Sequence, residues 1–143
     1  NGHQTTNPEQ DGNYHFGMTI DFDFIMPKEG KVNGNNMIFE FDGDDDVWVF
    51  IDDVLVLDIG GIHDHFYGSI DFASGDVIIK NPQTGNILQS TDLDTLFGEA
   101  GKDWDGSDYS THELKFFYFE RGLGDSNCMI KFNLYTIQKN SLK

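Results

Sequence analysis

Basic residues are scarce in this chain: 9 Lys and Arg stand against 25 Asp and Glu, for a formal net charge of −16. A surface of that sign repels phosphate backbones and anionic lipid headgroups, so nucleic acid and anionic membrane are poor partners, and neither is expected. Cysteine is nearly absent, and the lone Cys128 excludes an internal disulfide and any cysteine-based zinc site. No apolar run reaches the roughly 18 residues that would suggest a bilayer span. No signal peptide or sorting tail is visible, and the chain reads as a module cut from something longer. What the sequence does hold is aromatic: 14% Phe, Trp and Tyr, with 13 Phe in 143 residues, too apolar for a disordered tail. The length suits one domain, which can bury roughly two-thirds of its unfolded surface.

The acidic residues are biased, with 19 Asp against 6 Glu. Helix surfaces favour Glu, whereas turns and oxygen-ligand metal sites favour Asp. With 16 Gly and few helical periodicities, the chain is expected to be all-β with long acidic loops and at most one or two short helices. Residues 1–13 are polar and read as an arm or linker, residues 14–138 as a single domain, and residues 139–143 as a tail. In His15 to Met26 the apolar Met18, Ile20, Phe22, Phe24 and Met26 alternate with polar residues, the period of a half-buried strand. Met37 to Phe41 is a second strand. Val47 to Ile51 is apolar on both faces and therefore central. Asp52-Asp53 turns it into Leu55 to Leu57 as a hairpin, and Ile70 to Phe72 with Val77 to Ile79 forms another. Residues 81–110 read mostly as loop, with Thr91-Asp92-Leu93-Asp94 capping a short helix that ends near Gly98. Leu114 to Glu120 and Cys128 to Thr136 are long strands around a Gly-rich loop. Seven or eight strands in one domain predict an antiparallel β-sandwich or barrel-like pair of sheets.

Three clusters could carry chemistry. In Phe41-Asp42-Gly43-Asp44-Asp45-Asp46 four carboxylates crowd into five positions between two apolar strands. Crowded carboxylates repel unless a cation intervenes, and calcium takes about 6–8 oxygens. A solvated turn is the competing reading. Asp103-Trp104-Asp105-Gly106-Ser107-Asp108 fails the EF-hand pattern, because Gly falls early and no Glu closes it; a solvated or sugar-facing loop fits better. His63 and His65 flank Asp64 at a spacing open to a transition metal, but a structural turn is the stronger reading. Catalysis has little to stand on. Cys128 has no paired base, and no nucleophile elbow surrounds a serine, so the chain is expected not to be an enzyme.

Residues 39–63, FEFDGDDDVWVFIDDVLVLDIGGIH, resemble the signature of the fibro-slime domain, a branch of the superfamily named after the fourteen-kilodalton domain of anthrax protective antigen. FFYFERGLGDSNCMIKF, from Phe116 to Phe132, is similar to the second signature, and the likeness extends from His15 to Tyr135. The resemblance implies a protective-antigen-type β-sandwich from the extracellular surface or wall of a Gram-positive bacterium. It further implies a calcium ion chelated by adjacent Asp residues joined by a cis peptide, matched here by Asp44 and Asp45. Asn127 matches the third side-chain ligand, with Asp125 as substitute and backbone carbonyls up to Ser126 completing the shell. Two sugar hydroxyls would occupy open calcium positions, with loop aromatics such as Trp104 or Tyr67 stacking on the ring. The implied function is a calcium-dependent glycan-binding module of a bacterial adhesin, monomeric within a larger surface protein and not inserted in membrane. The alternative is a structural or protein-binding module of a surface fibre in which calcium only stabilises the fold.

Overall fold

The computed structural model describes residues 17–61, 65–120 and 128–134. They form an antiparallel β-sandwich, as the alternating patterns predict. The strands are β1 (Gly17–Ile25), β2 (Lys31–Val32), β3 (Asn35–Asn36), β4 (Ile38–Gly43), β5 (Asp46–Ile51), β6 (Val54–Ile59), β7 (Phe66–Asp71), β8 (Asp76–Lys80), β9 (Ile87–Asp92), β10 (Thr111–Phe119) and β11 (Cys128–Phe132). One sheet has the order β1-β10-β5-β6, the other β11-β4-β7-β8-β9, and β2 with β3 makes a small ribbon. The proposed arm and tail, residues 1–13 and 139–143, lie outside the described residues.

Period-two burial places the core between the sheets. Phe39 and Phe41 of β4, Val47, Val49 and Ile51 of β5, and Leu114 and Phe116 of β10 are all buried. Side chains on alternate positions of a strand share one face, so each strand contributes one row to the interior. Phe132 joins the two sheets at their edges, with its ring 5.9 Å from Phe22, 5.9 Å from Phe24 and 5.6 Å from Phe39. β6 interrupts the alternation: the register shifts between Val49 and Phe50, and the consecutive Val56 and Leu57 are both buried. A bulge of this kind lets two adjacent side chains face the same layer.

The β5–β6 hairpin turns at Asp52 and Asp53 with φ of 49° and 64°. Both residues are left-handed, the geometry that matches the twist of the flanking strands. The neighbouring strand holds the strained Asp52 in place, since its Oδ1 accepts the Glu113 N–H at 2.9 Å. The short helix α1 spans Leu93–Glu99, and its cap is Asp92, whose side chain accepts the Thr95 N–H at 2.7 Å. Thr91, one residue earlier, is still in β9. β9 itself falls in the stretch read as loop. Its sequence, ILQSTD, is exposed or half-buried throughout, so no alternation marks it.

Candidate functional site

The acidic run is a corner, because β4 and β5 belong to different sheets. Its residues therefore cross the end of the sandwich, and this separates them by direction. Asp42 points outward from β4 and ion-pairs with His65. Asp45 and Asp46 are buried, at 4% and 3% exposure. Asp45 Oδ2 accepts the Tyr118 hydroxyl at 2.6 Å, and Asp46 Oδ1 accepts the Gly61 N–H at 3.1 Å. Asp44 differs from them: its Oδ1 is buried without a hydrogen-bond partner among the described residues. Burial, then the carboxylates of Asp45 and Asp44, push the Cys128 thiol up to about 11.

Among the described residues this corner does not form the calcium shell that the resemblance implied. Among the described residues no three His, Cys, Asp or Glu side chains gather where they could hold a metal ion. Asp45 is already engaged by a hydroxyl, and no peptide bond among the described residues is cis, Asp44–Asp45 included. The expected ligands Asp125 and Asn127, with Ser126, lie outside the described residues.

The two aromatics expected to stack on a sugar are not together. Trp104 lies against His112, 4.4 Å between ring centroids, at the start of β10, whereas the acidic corner pairs with Phe119 at the end of that strand. Tyr67 is on the outer face of β7. Its hydroxyl donates to Glu40 Oε1 at 2.5 Å, and Lys80 Nζ stands 4.9 Å above its ring. Burial and then Glu40 push the Tyr67 phenol up to about 12. In the loop at residues 103–108, Asp105 caps its own turn by accepting the Ser107 N–H and Oγ–H, and these bonds hold its carboxyl below the usual range. Asp108 Oδ1 accepts the Glu29 N–H at 2.8 Å. His63 and Asp64 lie outside the described residues.

Sequence alone did not bring together Asp52, His112 and Ser110. His112 Nδ1 is 2.5 Å from Asp52 Oδ2 and its Nε2 is 2.9 Å from Ser110 Oγ, the order of atoms in a hydrolytic triad. The surroundings oppose that chemistry. Ser110 Oγ lies 2.8 Å from the Ser107 carbonyl oxygen and 3.1 Å from that of Asp105. An attacking serine needs donors around the oxyanion it creates, and carbonyl oxygens repel one. The chain of bonds instead ties the 103–110 loop to the β5–β6 turn.

The outer face of the four-stranded sheet carries a cluster of aromatic side chains, with Phe117 exposed and Trp48, Phe50 and Phe119 half-buried. Trp48 and Phe50 of β5 and Phe117 and Phe119 of β10 point away from the core. The Phe50 and Phe117 rings meet edge to face at 5.5 Å. Gly17 pairs with Phe119 and Thr19 with Phe117, so small residues sit beside large rings. The result is a shallow groove of about 480 Å³. The sequence signal was the doubly apolar pattern of VWVFI and FFYF. It marked β5 as central, which the sheet order supports, but the second face is covered by no layer among the described residues.

The fold and this groove define a β-sandwich module with one aromatic outer face. The chain is 36% identical over 126 residues to Protein psiF of Dictyostelium discoideum, across 88% of this chain and 14% of that protein. Protein psiN of the same organism is 35% identical over 119 residues, across 83% of this chain and 12% of its own length, and Protein psiD is 53% identical over 51 residues. The chain thus spans about one-seventh of the length of psiF. No family model matches, and no solved structure matches. These relatives are eukaryotic and no family model supports a fibro-slime domain, which overturns the Gram-positive assignment. The reading of a calcium-dependent lectin module of a bacterial adhesin, with its fibre alternative, falls with it, since the described residues also gather no metal site.

Proposed function

We propose that this chain is a non-catalytic recognition module, a β-sandwich that holds a polypeptide partner on the outer face of its four-stranded sheet. The observation that carries this reading is the groove bounded by Trp48, Phe50, Phe117 and Phe119 beside Gly17 and Thr19. Phe117 is exposed and Trp48, Phe50 and Phe119 are half-buried, and Trp and Phe at the centre of a contact patch give large area at low entropic cost. The reading needs no metal and no nucleophile. It also fits a chain that spans a small part of its relatives' length, where a module supplies a binding face to a larger protein.

The test is peptide display panned against the full chain and against a Trp48→Ala/Phe117→Ser variant. Enrichment of sequences that bind the parent and lose binding in the variant, with little change in the variant's melting temperature, is the expected result. Sequences that bind both proteins equally would place recognition elsewhere.

A further inference from the structure

The first five residues of β1, Gly17 to Asp21, are exposed on both faces of the strand. Among the described residues β1 pairs with β10 and with no strand on its other side. Its two rows differ in chemistry. Facing the aromatic groove are Gly17, Thr19, Asp21 and Asp23. Facing the interior side are Met18 and Ile20, still 39% and 37% exposed, before Phe22 and Phe24 enter the core. An open edge of this length with apolar residues is a template for another strand.

The charges say which strand. Asp21 lies opposite Lys115, but Lys115 Nζ is engaged by Asp53 Oδ1 at 3.1 Å and Glu113 Oε1 at 3.4 Å. Asp21 and Asp23 therefore have no ion-pair partner among the described residues. A second copy of the chain would bring its own Asp21 and Asp23 to this edge, on top of a net charge of −16 on each copy. Carboxylates on an edge strand discourage self-pairing, and the same carboxylates attract a cationic strand.

We propose that β1 is a docking edge that takes an extended polypeptide segment of alternating basic and apolar residues as a fifth strand of this sheet. This inference rests on the recognition reading above and identifies the partner's chemistry. Successive side chains of the incoming strand alternate between faces. Its apolar row covers Met18 and Ile20. Its basic row lies beside Gly17, Thr19, Asp21 and Asp23. Gly17 and Thr19 are small enough for a long basic side chain to lean across them onto the rings of Phe117 and Phe119, a cation–π contact. Backbone pairing supplies affinity and the two rows supply selectivity.

The experiment titrates the isotope-labelled full chain with a peptide of alternating lysine and valine. Controls are the glutamate–valine peptide and a lysine–valine peptide N-methylated at alternate amides. The expected result is binding of the first peptide alone, weakened by salt, with exchange of the outward-facing alternate amides between Met18 and Asp21 slowed about tenfold or more. An Asp21→Lys/Asp23→Lys variant should then prefer the glutamate–valine peptide. Equal binding of both charged peptides, binding of the N-methylated peptide, or no added protection of the outward-facing β1 amides would overturn the docking edge. Protection of the outward-facing β1 amides without peptide, together with a dimer in sedimentation, would overturn it in favour of a second copy. If the outward-facing β1 amides stay unprotected while Trp48→Ala/Phe117→Ser still abolishes capture of displayed peptides, the docking edge fails and the recognition face stands.

Discussion

The Tyr118 hydroxyl donates a 2.6 Å hydrogen bond to Asp45 Oδ2, with both residues buried. The pair links β10 to the corner that joins the two sheets. A hydrogen bond to a charged acceptor away from water contributes about 1.5–3 kcal/mol. Tyr118→Phe keeps the ring and removes the donor, so it should lower unfolding stability by that amount in a urea titration. A loss below about 0.5 kcal/mol would show that Asp45 is satisfied without the Tyr118 hydroxyl.

Asp44 is the opposite case. Its buried Oδ1 has no partner among the described residues, and two further carboxylates follow in sequence. An unsatisfied buried acceptor costs about 1–3 kcal/mol. Asp44→Asn removes the charge, so it should raise the unfolding midpoint in buffer containing a chelator. It should also speed alkylation of Cys128, whose thiol Asp44 helps to hold up at about 11. A variant less stable than the parent, with Cys128 reacting at the parental rate, would show that the orphan oxygen is satisfied in solution.

The strands of the core were legible because each writes its two faces as alternate residues. Phe22 and Phe24 against Asp21 and Asp23 give the inner face of β1 directly. The pattern cannot say which sheet a strand joins, and that decides the acidic corner. Read as a turn between neighbouring strands, Asp44 and Asp45 belong at a solvent-facing tip. As a crossover between sheets they turn into the end of the core, where Tyr118, some seventy residues away, meets one of them. The His112–Asp52 bond is hidden for the same reason, since its partners come together only through the β5–β10 pairing. The aromatic face was written in VWVFI and FFYF, but a doubly apolar strand looks alike whether its second face is covered or open.

Gly60 underlies Trp48 on that face. A Cβ built there would lie 2.5 Å from Trp48 Cζ2 and 2.8 Å from Nε1. No contact that short survives, so Gly60→Ala must displace the indole. Overpacking of this kind costs about 1–3 kcal/mol. The variant should unfold earlier by that margin and show altered Trp48 fluorescence, read in a Trp104→Phe background that leaves one indole. An unchanged spectrum would mean that the β6 end moves instead of the ring, and the groove would keep its shape.

Tyr67 gives the molecule a stability change in alkaline solution. Its phenol, ordinarily near 10, is pushed up to about 12, first by burial and then by the Glu40 carboxylate that accepts its proton at 2.5 Å. The folded state therefore holds this proton more tightly than the unfolded state. The resulting stabilisation is fully present below pH 10 and is lost as pH rises through 10 towards 12, because the unfolded chain ionises first. Across that window the melting temperature of the parent should fall more steeply than that of Tyr67→Phe, which has nothing to titrate there. The absorbance difference between the two proteins should show a phenolate midpoint near 12, and Glu40→Gln should bring it down. A midpoint at the ordinary value in the folded protein would mean that the Tyr67–Glu40 bond does not persist in solution, and the two alkaline melting curves would then run parallel.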